Sequence, residues 1–298
     1  MSRSRYAIVL CAICLVALGA MAPAAWAADA AKRHIFGFSP DGKYFGFEQY
    51  GVEDGTGFPY SDIFLIDVEK DVWVKGTPIQ QLVRRAGTDL EKVREAARMR
   101  AEPFLWRLNV GTKGNHVLAD PAEKADAAAR FVPLTVPDTD DGAGLGSVRL
   151  RLTEFALPAE GCATIDEPTK GFVLVLEDAA GQPIRILEED KEIPRSRKCP
   201  IHYGISDIVV LPRSGEGPAL IVIVSIYRYG FEGLDRRFIA IGTTFDLNPT
   251  AGPKSEPVEA IPEEVAPEEM APAAEPADTV TDVPTAPALR LRRGAEQR

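Results

Sequence analysis

The sequence predicts a mainly β fold of about a dozen strands, in propeller-blade-like or sandwich-like sheets, with a short helical insertion near 78–101. Three observations carry this expectation. Val148, Leu150 and Leu152 alternate with Arg149, Arg151 and Thr153, which is the period of a half-buried strand. Ala219-Leu220-Ile221-Val222-Ile223-Val224 is an unbroken apolar run, too short to span a membrane, and reads as a strand buried on both faces. Turn signals separate the apolar runs. In Ser39-Pro40-Asp41-Gly42-Lys43 the proline presets a turn and Gly42 can take a positive φ.

The elements follow in order. His34–Phe38 and Tyr44–Gln49 flank that first turn and form a hairpin. Asp62–Val68 is a β-branched and aromatic run, and Val72-Trp73-Val74 follows the charged turn Glu69-Lys70-Asp71. The period then changes. Thr77-Pro78-Ile79-Gln80 has the form of a helix start, with Thr77 as N-cap and Ile79, Leu82, Val83 and Ala86 on one face. Gly87 interrupts, and Thr88-Asp89-Leu90-Glu91 restarts with a second capping box ahead of Val93, Ala97 and Ala101. Two short helices, or one kinked helix, are expected over 78–101. Strands return at Ser147–Leu157, at Phe172–Glu177 and Pro183–Leu187 around Asp178-Ala179-Ala180-Gly181-Gln182, and at Ile205–Leu211, Ala219–Tyr227 and Arg236–Phe245.

Both ends of the chain differ from this middle. Arg3 and Arg5 precede the apolar run Tyr6–Ala20, and Ala25-Trp26-Ala27 supplies a small-x-small cleavage pattern. Residues 1–27 read as a secretory signal cleaved after Ala27, which implies a periplasmic or secreted protein. From Pro249 onward there is no aromatic residue, prolines recur, and acids dominate over Glu256–Asp282. Such a segment cannot bury enough apolar surface to offset its ordering entropy, so 249–298 is expected to be a disordered tail. Residues 28–248 remain as the folded domain, about 220 residues and enough for one sizeable core. Loss of the signal moves the formal charge from −10 to −12, which disfavours nucleic acid as a partner. No segment of the mature chain is long and apolar enough to be transmembrane.

Cys11 and Cys14 leave with the signal, and each follows a bulky residue (Leu10, Ile13), which argues against lipoprotein processing. Cys162 and Cys199 remain, an even pair in an oxidising compartment, and are expected to form a disulfide at the base of the 172–187 hairpin. The competing half zinc site, Cys199 with His202, lacks a second ligand pair. Asp138-Thr139-Asp140-Asp141-Gly142 is one residue short of a calcium loop, and Arg149 stands where the bidentate acid belongs. No phosphate-cradling loop, nucleophile elbow or dinucleotide fingerprint occurs, and no cofactor is expected.

Two segments stand out for glycine, aromatic residues and carboxylates: Phe47–Ser61 and Tyr229–Phe238. Together with the signal they resemble a bacterial family of predicted secreted proteins of unknown function, over roughly residues 34–245. The resemblance implies an envelope location and no assigned chemistry. Separately, Phe38–Phe45 followed by Asp62-Ile63-Phe64-Leu65-Ile66-Asp67 resembles one blade of a TolB-type β-propeller.

Tyr50–Asp62 reads as a long Gly-rich linker between strands, and long loops on a β scaffold often carry binding. Its Asp54, Tyr60 and Asp62, with Glu232, Asp235 and Arg236 of the later segment, are the candidate binding residues. The two segments are expected to lie side by side, with Glu48, Asp54, Glu232 or Asp235 facing Arg236 or Arg237, forming the contact surface of a non-enzymatic binding or scaffold module for an envelope protein or glycan. The alternative is a secreted hydrolase with Glu232, Asp235 and Asp54 as acid/base groups. Carboxylates individually paired to arginines would argue against that alternative.

Overall fold

The computed structural model describes residues 29–119, 129–136, 146–162, 167–213, 217–231 and 233–245. The expected signal, the acidic tail, Asp138–Gly142 and Glu232 therefore lie outside the described residues.

Among the described residues, thirteen strands form three antiparallel sheets, as the patterning predicts. The first sheet holds β1 (Lys32–Phe38), β2 (Tyr44–Val52), β3 (Pro59–Asp67), β4 (Val72–Trp73) and β5 (Ile79–Leu82). The middle sheet has the order β13 (Leu234–Thr244), β12 (Ala219–Tyr229), β11 (Pro200–Leu211), β6 (Asn115–Ala119). The third has the order β10 (Pro183–Glu189), β9 (Lys170–Asp178), β8 (Gly146–Ala156), β7 (Phe131–Val136). One helix, α1 (Leu90–Arg107), belongs to the first sheet's layer.

The sheets stack because β12 is apolar on both faces. Leu220, Val222, Val224 and Ile226 pack with Leu150, Leu152, Phe172 and Leu174 of the third sheet. The intervening Ala219, Ile221 and Ile223 pack with Phe38, Phe45, Phe47 and Phe64 of the first. Period-two alternation thus sends successive side chains of one strand into two different cores. The first sheet repeats the device. Phe64 and Ile66 face the middle sheet, while Ile63 faces α1 together with Ile79, Ala97 and Ala101.

The helical expectation holds for its second half only. Ile79–Leu82 is a strand, paired antiparallel with Tyr60–Ile63 of β3. β4 covers β3 only at Ile66 and Asp67, so the edge at Tyr60–Ile63 is open until β5 fills it. Those ladder bonds outweigh the local start signal, and Thr77 donates its hydroxyl to the Val74 carbonyl instead of capping. The N-cap is Asp89, whose carboxylate accepts the Glu91 N–H at 2.9 Å. The helix runs on to Arg107, through Pro103.

The linker expectation is also corrected. Tyr50–Val52 and Pro59–Asp62 are strand, in register with one another, and only residues 53–58 turn. Glu53 closes that turn: its N–H donates to the Phe58 carbonyl and its own carbonyl accepts from Gly57 N–H, both at 2.9 Å. The Cys162–Cys199 disulfide is present, with Cα atoms 5.7 Å apart.

Candidate functional site

At one end of the first and middle sheets, the inward face changes from apolar to polar. Along β2 and β3 the residues facing the middle sheet run Phe45, Phe47, Gln49 on one strand and Phe64, Asp62, Tyr60 on the other. Gln49 donates its amide to Asp62 at 3.1 Å and accepts the Phe238 N–H of β13 at 2.9 Å. Burial pushes the Asp62 carboxyl above the usual carboxylate range, and the Gln49 hydrogen bond offsets only part of that rise.

Asp29 is the hub of the next layer out. Residues 29–31 run parallel to β13, through an Ala30–Arg236 bridge and a donation from Arg236 N–H to the Asp29 carbonyl at 2.9 Å. The Asp29 carboxylate accepts from the Tyr60 hydroxyl at 3.0 Å and pairs with Arg237, which also stacks over the Tyr60 ring at 4.5 Å. Burial raises the Asp29 carboxyl despite the opposing Arg237 charge. It also holds the Tyr60 hydroxyl well above its ordinary value, so Tyr60 is a neutral donor here. Asp235 accepts the Asp29 N–H at 3.1 Å and lies 3.6 Å from Arg228.

Two hairpin tips close over this polar layer, so the two segments singled out in the sequence do meet. A Cβ built on Gly55, in the β2–β3 turn, would lie 3.6 Å from the Phe231 Cβ of the β12–β13 turn. Phe231 is 81% exposed, Tyr229 46% and Val52 43%, so the tips present a small apolar and aromatic edge.

The candidate residues divide accordingly. Asp54 is half-buried in the tip. Tyr60 and Arg236 are buried beneath it, where Arg236 donates to the Ala31 carbonyl at 3.2 Å. Asp62 and Asp235 are tied into the hydrogen bonds given above. Asp29, Lys198 and Arg228 were not among the candidates, and Arg237, expected opposite an acid of the two segments, pairs with Asp29 instead. The available signal was an arginine directly following the apolar β12 run, and an acid in the first residues after the expected cleavage site. Glu48, expected to face Arg236 or Arg237, points to the other side of the sheet. It is fully buried, accepting from Arg94 at 2.9 and 3.1 Å, from Arg98 at 2.8 Å and from Ser61 at 3.0 Å. Burial pushes the Glu48 carboxyl up, and the two guanidiniums outweigh it and hold it low.

These features define a mainly β protein with three stacked sheets and a charged, hydrogen-bonded edge capped by exposed aromatics. Residues 46–243 match the model of a family described as predicted secreted protein (DUF2259), and the chain belongs to that family. No curated protein and no solved structure matches, and the resemblance to a TolB-type propeller blade is not confirmed. No described helix is long and apolar enough to cross a membrane.

Proposed function

We propose that this secreted protein is a non-catalytic binding or scaffold module of the cell envelope, whose partner, an envelope protein or glycan, sits on the edge formed by the two hairpin tips. The supporting observation is the pairing of exposed Val52, Tyr229 and Phe231 with a rigid layer of buried ion pairs directly beneath. A rigid base lets an exposed aromatic contact a partner without a large ordering cost. Asp54 would contribute at the tip itself, with Tyr60, Asp62, Asp235 and Arg236 holding the edge in shape. The hydrolase reading has less support. Asp235 is engaged by the Asp29 N–H and Arg228, and Glu232 lies outside the described residues. Export by residues 1–27 with cleavage after Ala27, a folded domain over 28–248 and an acidic tail beyond it complete the reading.

The test compares capture of envelope proteins and polysaccharides by the purified mature protein and by Val52→Ser and Phe231→Ser. A defined partner retained by the parent and lost in both variants is expected. Identical capture by all three proteins refutes the binding edge. Intact-mass measurement of exported protein checks the N-terminus, which should be Ala28.

A further inference from the structure

We propose that Arg228 and Lys198 together form a receiving site for an oxyanion, a carboxylate or phosphate group carried by the partner of this edge. The proposal rests on the binding reading above and names the chemistry that the edge selects.

Arg228 stands at the end of β12 and is 7% exposed. Its guanidinium donates no hydrogen bond to any described residue. Its ion-pair partner, Asp235 Oδ2, is 3.6 Å from Nε, beyond hydrogen-bond reach, and Asp235 Oδ1 already accepts the Asp29 N–H. The neighbouring Arg237 contrasts with it, for Arg237 is committed to Asp29 and to the Tyr60 ring. The Arg228 side chain is buried along its length, yet none of its nitrogens is sealed from solvent without a partner, so the guanidinium can still be reached by an acceptor from outside.

Lys198 supplies the second cation. It directly follows the 3₁₀ turn Arg195–Arg197, with a positive φ of 58°. The chain directly after Lys198 is held twice, by the Cys162–Cys199 disulfide and by Pro200, which pairs with Arg228 in the β11–β12 ladder. The Lys198 ammonium makes no hydrogen bond with a described residue. It borders a groove of about 670 Å³ that also touches Glu160, Arg195 and both cysteines.

The electrostatics agree with the geometry. The Arg228 charge, then burial, lowers the proton affinity of Lys198, with Glu53 and Asp235 opposing. Burial and the Arg237 charge lower that of Arg228, with Asp235 and Asp29 opposing. Arg228 and Lys198 each feel the other cations of this edge, with Glu53, Asp235 and Asp29 opposing them. A two-oxygen anion would accept from the guanidinium fork and the ammonium at once. Exposed Tyr229 and Phe231 next to the site suit the sugar or aliphatic body that carries such a group.

The experiment titrates glucuronate, glucose 1-phosphate and neutral glucose into the full mature protein at low chloride, following the melting midpoint and heat of binding. Saturable stabilisation by at least one anion and none by glucose is expected. Glucuronate alone identifies a carboxylate ligand, and glucose 1-phosphate alone a phosphate. Lys198→Gln and Arg228→Gln should each weaken that binding at least tenfold. Lys198 is exposed, so its variant decides the matter if the Arg228 variant does not fold. No saturable effect in the parent protein, or unchanged binding in Lys198→Gln, overturns the site. The titration needs no envelope partner. Partner capture that depends on Phe231 without anion binding therefore refutes only the oxyanion site. Anion binding lost in Lys198→Gln, with capture indifferent to Phe231, supports the site and refutes the edge.

Discussion

Replacing Asp71 by asparagine should make this protein more stable at neutral pH, against the usual direction of point mutations. Asp71 lies in the β3–β4 turn with a left-handed φ of 51°, and its carboxylate accepts the Gly242 N–H of β13 at 2.7 Å. It ties the first sheet to the middle one. Burial raises its carboxyl from the ordinary 3.8 to about 6, the Gly242 hydrogen bond opposing and the Glu188 charge adding to the rise. The fold therefore binds this proton more tightly than the unfolded chain does. Stability from this group is complete below the ordinary value and is lost as pH rises through about 6. At about 1.4 kcal/mol per tenfold change in proton affinity, the interval from 3.8 to about 6 amounts to at most roughly 3 kcal/mol at neutral pH. Asparagine keeps an oxygen for Gly242 and tolerates the left-handed backbone, so the change removes only the charge. Urea unfolding of both proteins near pH 8 and near pH 4 isolates the effect, because other titrating groups cancel in the difference. Asp71→Asn should gain about 1–3 kcal/mol at the higher pH and almost nothing at the lower. A loss of stability near pH 8, or a difference equal at both pH values, refutes the reasoning.

Three further outcomes are expected. Glu48→Gln removes the buried carboxylate shared by Arg94 and Arg98, leaves Arg94, whose side chain is only 10% exposed, with exposed Glu91 as its ion-pair partner, and should cost about 3–5 kcal/mol in denaturant unfolding; a loss below about 1 kcal/mol would show that Glu91 and solvent suffice for the two arginines. Oxidised protein should show no free thiol under denaturing conditions, and reducing the bond between residues separated by 37 positions should cost about 4 kcal/mol; two titratable thiols before reduction contradict this. Deleting residues 249–298 should leave the melting midpoint unchanged, because their composition cannot supply a core; a fall of several degrees shows that they stabilise the folded domain.

The strands and their turns were legible because the signals are local. Alternation in β8, the apolar run of β12 and Gly42 in its turn each act within a few residues, and the structure keeps all three. The disulfide was legible because an expected oxidising compartment and the two cysteines outside the expected signal left one pairing. The meeting of the two hairpin tips was expected from two similar segments near the start and end of the fold, and it occurs between neighbouring sheets.

What the sequence determined by itself is therefore the class: a secreted, mainly β chain with a short helical insertion and a disulfide between Cys162 and Cys199. Tertiary structure decided the rest, because the deciding partners are distant in sequence. An open edge on β3 turned Ile79–Leu82 from an expected helix into a strand, since unpaired backbone groups there had to be satisfied. Glu48 was claimed by Arg94 and Arg98 of the helix, not by Arg237 of the far strand, because alternation along β2 points it away from the middle sheet. Asp29 and Arg237 meet across 208 positions, and Arg228 is buried beside Asp235 only once β12 lies between its neighbours. No periodicity encodes such encounters; they exist only after three sheets have stacked and excluded water from the charges between them.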